Sequence, residues 1–172
     1  DNQGNVWRGG YEYKINQIIG FSHIHSWTMG GLLTMPVTGP LKIKPGEENE
    51  PDSGYRSRIN HKNEKASLSY YSVLLDDYNI KAELTSTTRT GFQRYTFPKS
   101  DSSRILFDLE NGSEYPYEVR WASISKVSDY EIEGFSTQSS YDEPTNLLND
   151  YTVYFVARVD KPMKSFGTWV NG

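Results

Sequence analysis

Apolar and polar residues alternate one by one through much of this chain, and that period of two constrains what it can fold into. Successive side chains of an extended strand face opposite sides of a sheet, so the alternation marks strands with one dry face and one wetter face. Ile80, Ala82 and Leu84 alternate with Lys81, Glu83 and Thr85. Ile105, Phe107 and Leu109 alternate with Asp108 and Glu110, and Val153, Phe155, Ala157 and Val159 with Thr152, Arg158 and Asp160. Val73-Leu74-Leu75, then Asp76-Asp77-Tyr78-Asn79, then Ile80 reads as a hairpin, because Asp and Asn bond their own backbone and tolerate turn geometry. Gly91, Pro98, Asn111-Gly112 and Gly134 punctuate further short strands. Residues 60–69 show no apolar spacing of three to four, so they read as a loop leading into a strand rather than a helix. Pro45 to Gly54 and Ser139 to Asp150, rich in turn-forming and polar residues, read as surface loops.

The chain has 172 residues, enough to bury a sizeable core in one domain. Aromatic residues make up 14% of it, and a net charge of −4 supplies too little self-repulsion to keep it expanded. The expected fold is therefore all-β: a twisted antiparallel β-sandwich with few or no helices, residues 1–172 forming one domain. A closed barrel has the same periodicity and stays open as the alternative. The 18 basic and 22 acidic residues are scattered, so no electrostatic footprint attracts a phosphate backbone, and nucleic acid is not an expected partner. No apolar run is long enough for a membrane span, and the opening Asp1-Asn2-Gln3-Gly4 has no signal-peptide pattern. The absence of cysteine excludes disulfides, thiolate metal sites and a cysteine nucleophile.

Two of the three histidines fall in Gly20-Phe21-Ser22-His23-Ile24-His25-Ser26-Trp27-Thr28-Met29-Gly30-Gly31. In an extended segment His23 and His25 share a face, as two imidazole ligands of a metal would, with His61 a conceivable third. Hydrogen-bonded structural roles beside a Gly-rich turn are the plainer alternative. A third possibility is a sugar-facing rim, because pyranose C–H patches stack on aromatic rings while sugar hydroxyls need imidazole, guanidinium or amide partners. Phe21, His23, His25 and Trp27 offer both kinds, although a tryptophan in such a domain is as readily part of the core. Tyr55-Arg56-Ser57-Arg58 is a second polar and aromatic cluster, able to orient a substrate or to sit in a solvated loop. Glycoside hydrolysis needs two carboxyl groups across the scissile bond, one of them desolvated enough to stay protonated. Glu47, Glu48, Glu50, Asp76, Asp77, Asp142 and Glu143 all lie in turn or loop contexts that give no such desolvation. No Gly-rich phosphate loop, Gly-x-Ser-x-Gly elbow or His-Glu-x-x-His motif is present.

The order of several motifs is similar to a known family. Ile19-Gly20-Phe21-Ser22-His23-Ile24-His25, Met35-Pro36, Ser53-Gly54-Tyr55-Arg56-Ser57-Arg58, Ala66-Ser67, Tyr70 through Asp76, Ile80 through Thr85, Thr88-Arg89 and Arg94 through Pro98 resemble the N-terminal domain of family 92 glycoside hydrolases. The resemblance covers most of residues 6–172 and closes on Tyr154 through Ala157 and Lys164 through Gly167. It implies a galactose-mutarotase-like β-sandwich ahead of a larger (α/α)6 domain, in an inverting, calcium-dependent exo-α-mannosidase with its active site in the cleft between the two. By that likeness the acid, the base and the calcium ligands belong to the larger domain, so no catalytic residue, metal ligand or cofactor is expected in these 172 residues. Phe21 and His23 match the family's site-facing stretch and Arg58 a nearby loop position; His25 and Trp27 complete the expected substrate-binding set. The implied partners are the chain's own C-terminal domain and a mannose-containing glycan, and the implied location is secreted, periplasmic or cell-surface. The alternative is a stand-alone carbohydrate-binding module. Two departures stand out: Ser26 through Gly31 replace a common Leu-Ser-Gly-Thr-Gly, leaving linkage preference open, and Leu68-Ser69 replace Pro-Gly in a turn.

Overall fold

The computed structural model describes residues 13–24, 32–110, 118–142 and 147–170. Among these lie strands β1 (Gln17–Ile18), β2 (Leu33–Val37), β3 (Ser57–Arg58), β4 (Lys65–Ser67), β5 (Tyr70–Leu75), β6 (Ile80–Ser86), β7 (Gly91–Thr96), β8 (Arg104–Asp108), β9 (Glu118–Ser128), β10 (Glu131–Asp142) and β11 (Leu147–Arg158). The only helical pieces among the described residues are single 3-10 turns at Pro51–Ser53 and His61–Asn63. The fold is thus all-β and antiparallel, as the alternation predicts, and residues 60–69 hold one short turn leading into β4. Contacts gather into two compact units, one built on β1–β8 and the other on β9–β11.

In the first unit, β4-β5-β6-β7 form an antiparallel sheet, while β1 pairs with β3 and β2 with β8. The β5–β6 hairpin closes on Leu75↔Ile80. Its turn is held by Tyr78 N donating to the Leu75 carbonyl at 3.3 Å, and Asn79 takes a left-handed φ of 51°, which Asn tolerates better than most residues. Register puts Val73 opposite Ala82 and Leu75 opposite Ile80 on one face, and all four are buried with Met35, Val37, Tyr55 and Ile59. The other face is less wet than alternation suggests, since Glu83 is buried as well. A buried carboxylate persists only when paired. Here Arg94 donates to it through Nε at 2.9 Å and Nη2 at 2.8 Å, Tyr70 donates its hydroxyl at 2.7 Å, and Lys81 lies 3.2 Å away. The Arg94 bonds, then that of Tyr70, hold the Glu83 pKa down at about 2.

The second unit is the three-stranded antiparallel sheet β11-β10-β9. Ile132 and Ser136 are buried on one of its faces, and the Ser136 hydroxyl donates to the Leu109 carbonyl at 3.2 Å. Gly134 sits where a Cβ would come within 2.3 Å of the Ser123 carbonyl oxygen and 2.7 Å of the Phe155 ring, so only glycine fits. The loop expected over Ser139 to Asp150 needs correction. Pairing continues through Ser139↔Asp150 to Asp142↔Leu147, so residues 139–142 and 147–150 are strand. Polar composition favours a loop, but each added ladder pair satisfies backbone donors and acceptors at once, and the neighbouring register carries these residues along.

Candidate functional site

The segment Ile19 to His23 enters the first unit as an irregular extended stretch tied to β2 by a reciprocal bridge. Phe21 N donates to the Thr34 carbonyl at 2.9 Å, and Thr34 N returns the bond to the Phe21 carbonyl at 2.9 Å. The side chains around the bridge form a small buried network. The Thr34 hydroxyl lies 2.6 Å from Gln93 Oε1, which also accepts from the Tyr95 hydroxyl. Burial drives the Tyr95 pKa upward, keeping this hydroxyl protonated as a donor. The Phe21 ring packs inward, 6.2 Å between centroids from the Tyr95 ring, and Phe21 is 6% exposed. It anchors the segment.

Two residues further on, the His23 imidazole lies directly over Gly91, where a Cβ would meet its ring atoms at 2.3 Å. Gly91 begins β7, and the absence of a side chain is what lets the ring settle there. His23 remains partly exposed. Burial lowers its pKa below 6.5, against an opposing hydrogen bond with the Phe92 backbone, so the ring is neutral at pH 7. A neutral imidazole has one donor and one acceptor nitrogen, a pairing suited to alcohols rather than to anions. His25 and Trp27 lie outside the described residues.

Arg58 sits in β3 with its guanidinium engaged by two carboxylates. Nε donates to Asp77 Oδ1 at 2.8 Å and Nη2 to Asp52 Oδ1 at 3.0 Å, with a further Nη2 contact to Asp77. The Arg58 backbone N–H also donates to Asp77 Oδ2 at 2.7 Å. These bonds hold the Asp77 carboxyl below the usual carboxylate range, although its partial burial works the other way. Among the described residues, no hydrogen bond or ion pair joins Arg58 to the Phe21–His23 segment. The structure brings Phe21 and His23 together on one segment and places Arg58 in a separate ion-pair cluster.

His61 is placed differently from a metal ligand alongside His23. Its Nδ1 is 2.7 Å from Glu64 Oε2, and Glu64 Oε1 accepts the Tyr71 hydroxyl. The Tyr13 ring stacks on the imidazole at 4.3 Å between centroids, and Nε2 is buried with no partner among the described residues. A hollow lined by Tyr13, Asn16, Ile59, Asn60, His61 and Lys62 opens beside it. The spacing of three between His61 and Glu64 was the available sequence signal for this pair, and the single 3-10 turn at His61–Asn63 brings them together. No group of three His, Cys, Asp or Glu side chains among the described residues is placed to hold a metal ion, and no helix there is long and apolar enough to cross a membrane.

Comparison with known proteins gives these features a setting. The model of the glycosyl hydrolase family 92 N-terminal domain matches residues 1–172. The chain is similar to the family GH92 alpha-mannosidase BT3965 from Bacteroides thetaiotaomicron in complex with mannoimidazole: 34% identity over 91% of this chain and 20% of that chain, TM-score 0.82. A second structure of that enzyme gives 34% identity over 91% and 21%, TM-score 0.81. Comparison with curated proteins found no match. The chain spans about a fifth of the length of these solved relatives. With the family model matched from end to end and the same β-sandwich fold shared over 91% of its residues, the chain belongs to the glycosyl hydrolase family 92 N-terminal domains.

Proposed function

We propose that residues 1–172 act as the N-terminal domain of an exo-acting, inverting α-mannosidase and form one wall of its sugar cleft, the acid and base residing on the larger domain that follows. The observation that carries this reading is the 34% identity, at TM-score 0.82, to an α-mannosidase of which this chain covers 20%. The described side chains agree with a supporting role. The carboxylates resolved as shifted, Asp77 and Glu83, are driven down rather than up, the opposite of what a general acid needs. His23 contributes a neutral imidazole at a rim fixed by Phe21 and Gly91, its N–H engaged by the Phe92 backbone and its other nitrogen able to accept from a mannose hydroxyl. His25 and Trp27, on the same sequence segment, complete the wall in this reading, with Trp27 supplying a stacking face. Arg58 acts through the order it imposes on Asp52 and Asp77. Calcium belongs to the larger domain, where it would hold and polarise the sugar's hydroxyls.

The test is to assay the full enzyme chain on α-1,2-mannobiose. Release of mannose, initially as the inverted anomer by NMR, with loss on chelation and recovery with calcium, is the expected result. A full chain inert towards α-mannosides would overturn the reading. Calorimetry on the 172-residue chain separates the alternative: tight mannose binding by that chain alone would favour a self-sufficient carbohydrate-binding module.

A further inference from the structure

The β9–β11 sheet has a second face that carries large exposed apolar side chains. Antiparallel register sets Trp121 opposite Thr137, Ser123 opposite Phe135, and Phe135 in turn opposite Tyr154, so these side chains project from one face of the sheet. Val156, two residues beyond Tyr154 in β11, shares that face. Trp121 is 73% exposed, Tyr154 77% and Val156 63%, while Phe135 stacks obliquely on Tyr154 at 5.8 Å. A groove of about 470 Å³ on this face is lined by Ser123, Ser125, Glu133, Phe135, Tyr154 and Val156. Large aromatics account for much of the energy of cores and interfaces, and a contiguous patch of this kind is uncommon on a surface that stays in water.

We propose that this face is the seat of the enzyme chain that follows Gly172, which buries Trp121, Tyr154 and Val156 against its own apolar residues. The inference rests on reading these residues as the N-terminal part of a longer family 92 enzyme, and it names the surface involved. Three observations select that occupant. The solved relatives continue for about four times the length matched here. The sheet is also the last in this chain, and β11 is its edge strand. Val159 and Met163 fold back to donate to Tyr130 and Asp129 at the β9–β10 turn, which keeps the chain beside this sheet as far as Met163. Several polar groups of the face are closed among themselves as well: the Thr137 and Thr152 hydroxyls pair at 2.8 Å, and Arg158 pairs with Glu131, while Glu133, opposite Val156, stays exposed. The large exposed side chains of Trp121, Tyr154 and Val156 are better matched to packed side chains than to the hydroxyls of a glycan.

Hydroxyl-radical footprinting of the full enzyme chain tests this, with exposed Tyr130 and buried Tyr55 as internal references. Oxidation of Trp121 and Tyr154 should be lost, falling to the level of Tyr55, in a monomeric sample without sugar. In the 172-residue chain, with Tyr55 still protected as proof of folding, both should oxidise as Tyr130 does. Oxidation of both at the Tyr130 level in the full chain would overturn the proposal. So would protection already present in the 172-residue chain, protection appearing only at raised protein concentration, or protection appearing only with added α-mannan. Mannoside hydrolysis measured on the same sample keeps the two readings apart. Activity with an oxidised Trp121 refutes the surface alone, and protection without activity refutes the α-mannosidase reading alone.

Discussion

At the scale of single residues, the Gly91 and His23 pair makes a local rule testable. The imidazole rests where any Cβ at position 91 would have to be. Gly91→Ala should therefore displace the ring and destabilise the chain by about 1–3 kcal/mol, the usual cost of overpacking, as read by urea denaturation. A ring pushed outward also regains water. Its pKa, lowered in the folded chain by burial, should return toward 6.5 in an NMR titration of Gly91→Ala. The sign for stability follows. Because the folded state binds the His23 proton less well than the unfolded state, this group's contribution is complete above pH 6.5 and is lost as pH falls through and below it. Gly91→Ala should flatten that part of the profile, and an unchanged His23 titration would show that the ring does not depend on the glycine.

At the scale of elements, the β4–β5 hairpin shows how a departure from a family pattern is absorbed. Ser67 pairs with Tyr70 across a two-residue turn made of Leu68 and Ser69. Ser69 adopts φ 63°, the left-handed conformation that glycine supplies without steric cost, and Pro-Gly is the favoured sequence for such a turn. The positive φ that glycine would supply at the second turn position is here taken by serine. Ser69→Gly should consequently stabilise the chain by about 1 kcal/mol, measured as a shift in the urea midpoint with an unchanged slope. The Ser69 carbonyl, which accepts from the Thr85 hydroxyl at 2.6 Å, is backbone and is kept in Ser69→Gly, so an unchanged midpoint would show that φ 63° costs serine nothing here. The same scale explains the long β10–β11 hairpin. Its backbone ladder runs through residues whose composition alone suggests a loop, because pairing is decided by the neighbouring strand as much as by the residue.

At the scale of the whole molecule, the distribution of charge and apolar surface fits a partner in a larger enzyme. Asp77 and Glu83, carboxylates held below the usual range, are both locked to arginines. The 172-residue chain alone should therefore release no mannose from α-1,2-mannobiose under conditions in which the full chain does; measurable hydrolysis would place proton-transferring groups in this domain after all. Some of this was legible from sequence. Alternation marked β6, β8 and β11, and Val73-Leu74-Leu75 before Asp-Asp-Tyr-Asn marked β5 and its turn, because strand facing and turn chemistry depend on residues a few positions apart. Motif order, read over most of the chain, pointed to the family. What only the tertiary structure decided involves residues far apart in the chain: Phe21 turned in against Tyr95, Arg58 held by Asp77, Glu83 buried with Arg94, and Trp121 and Tyr154 brought onto one face of the sheet. A period of two says which side of its own strand a residue faces; which strand lies beside it, and what covers it, is fixed by pairing and packing across the chain.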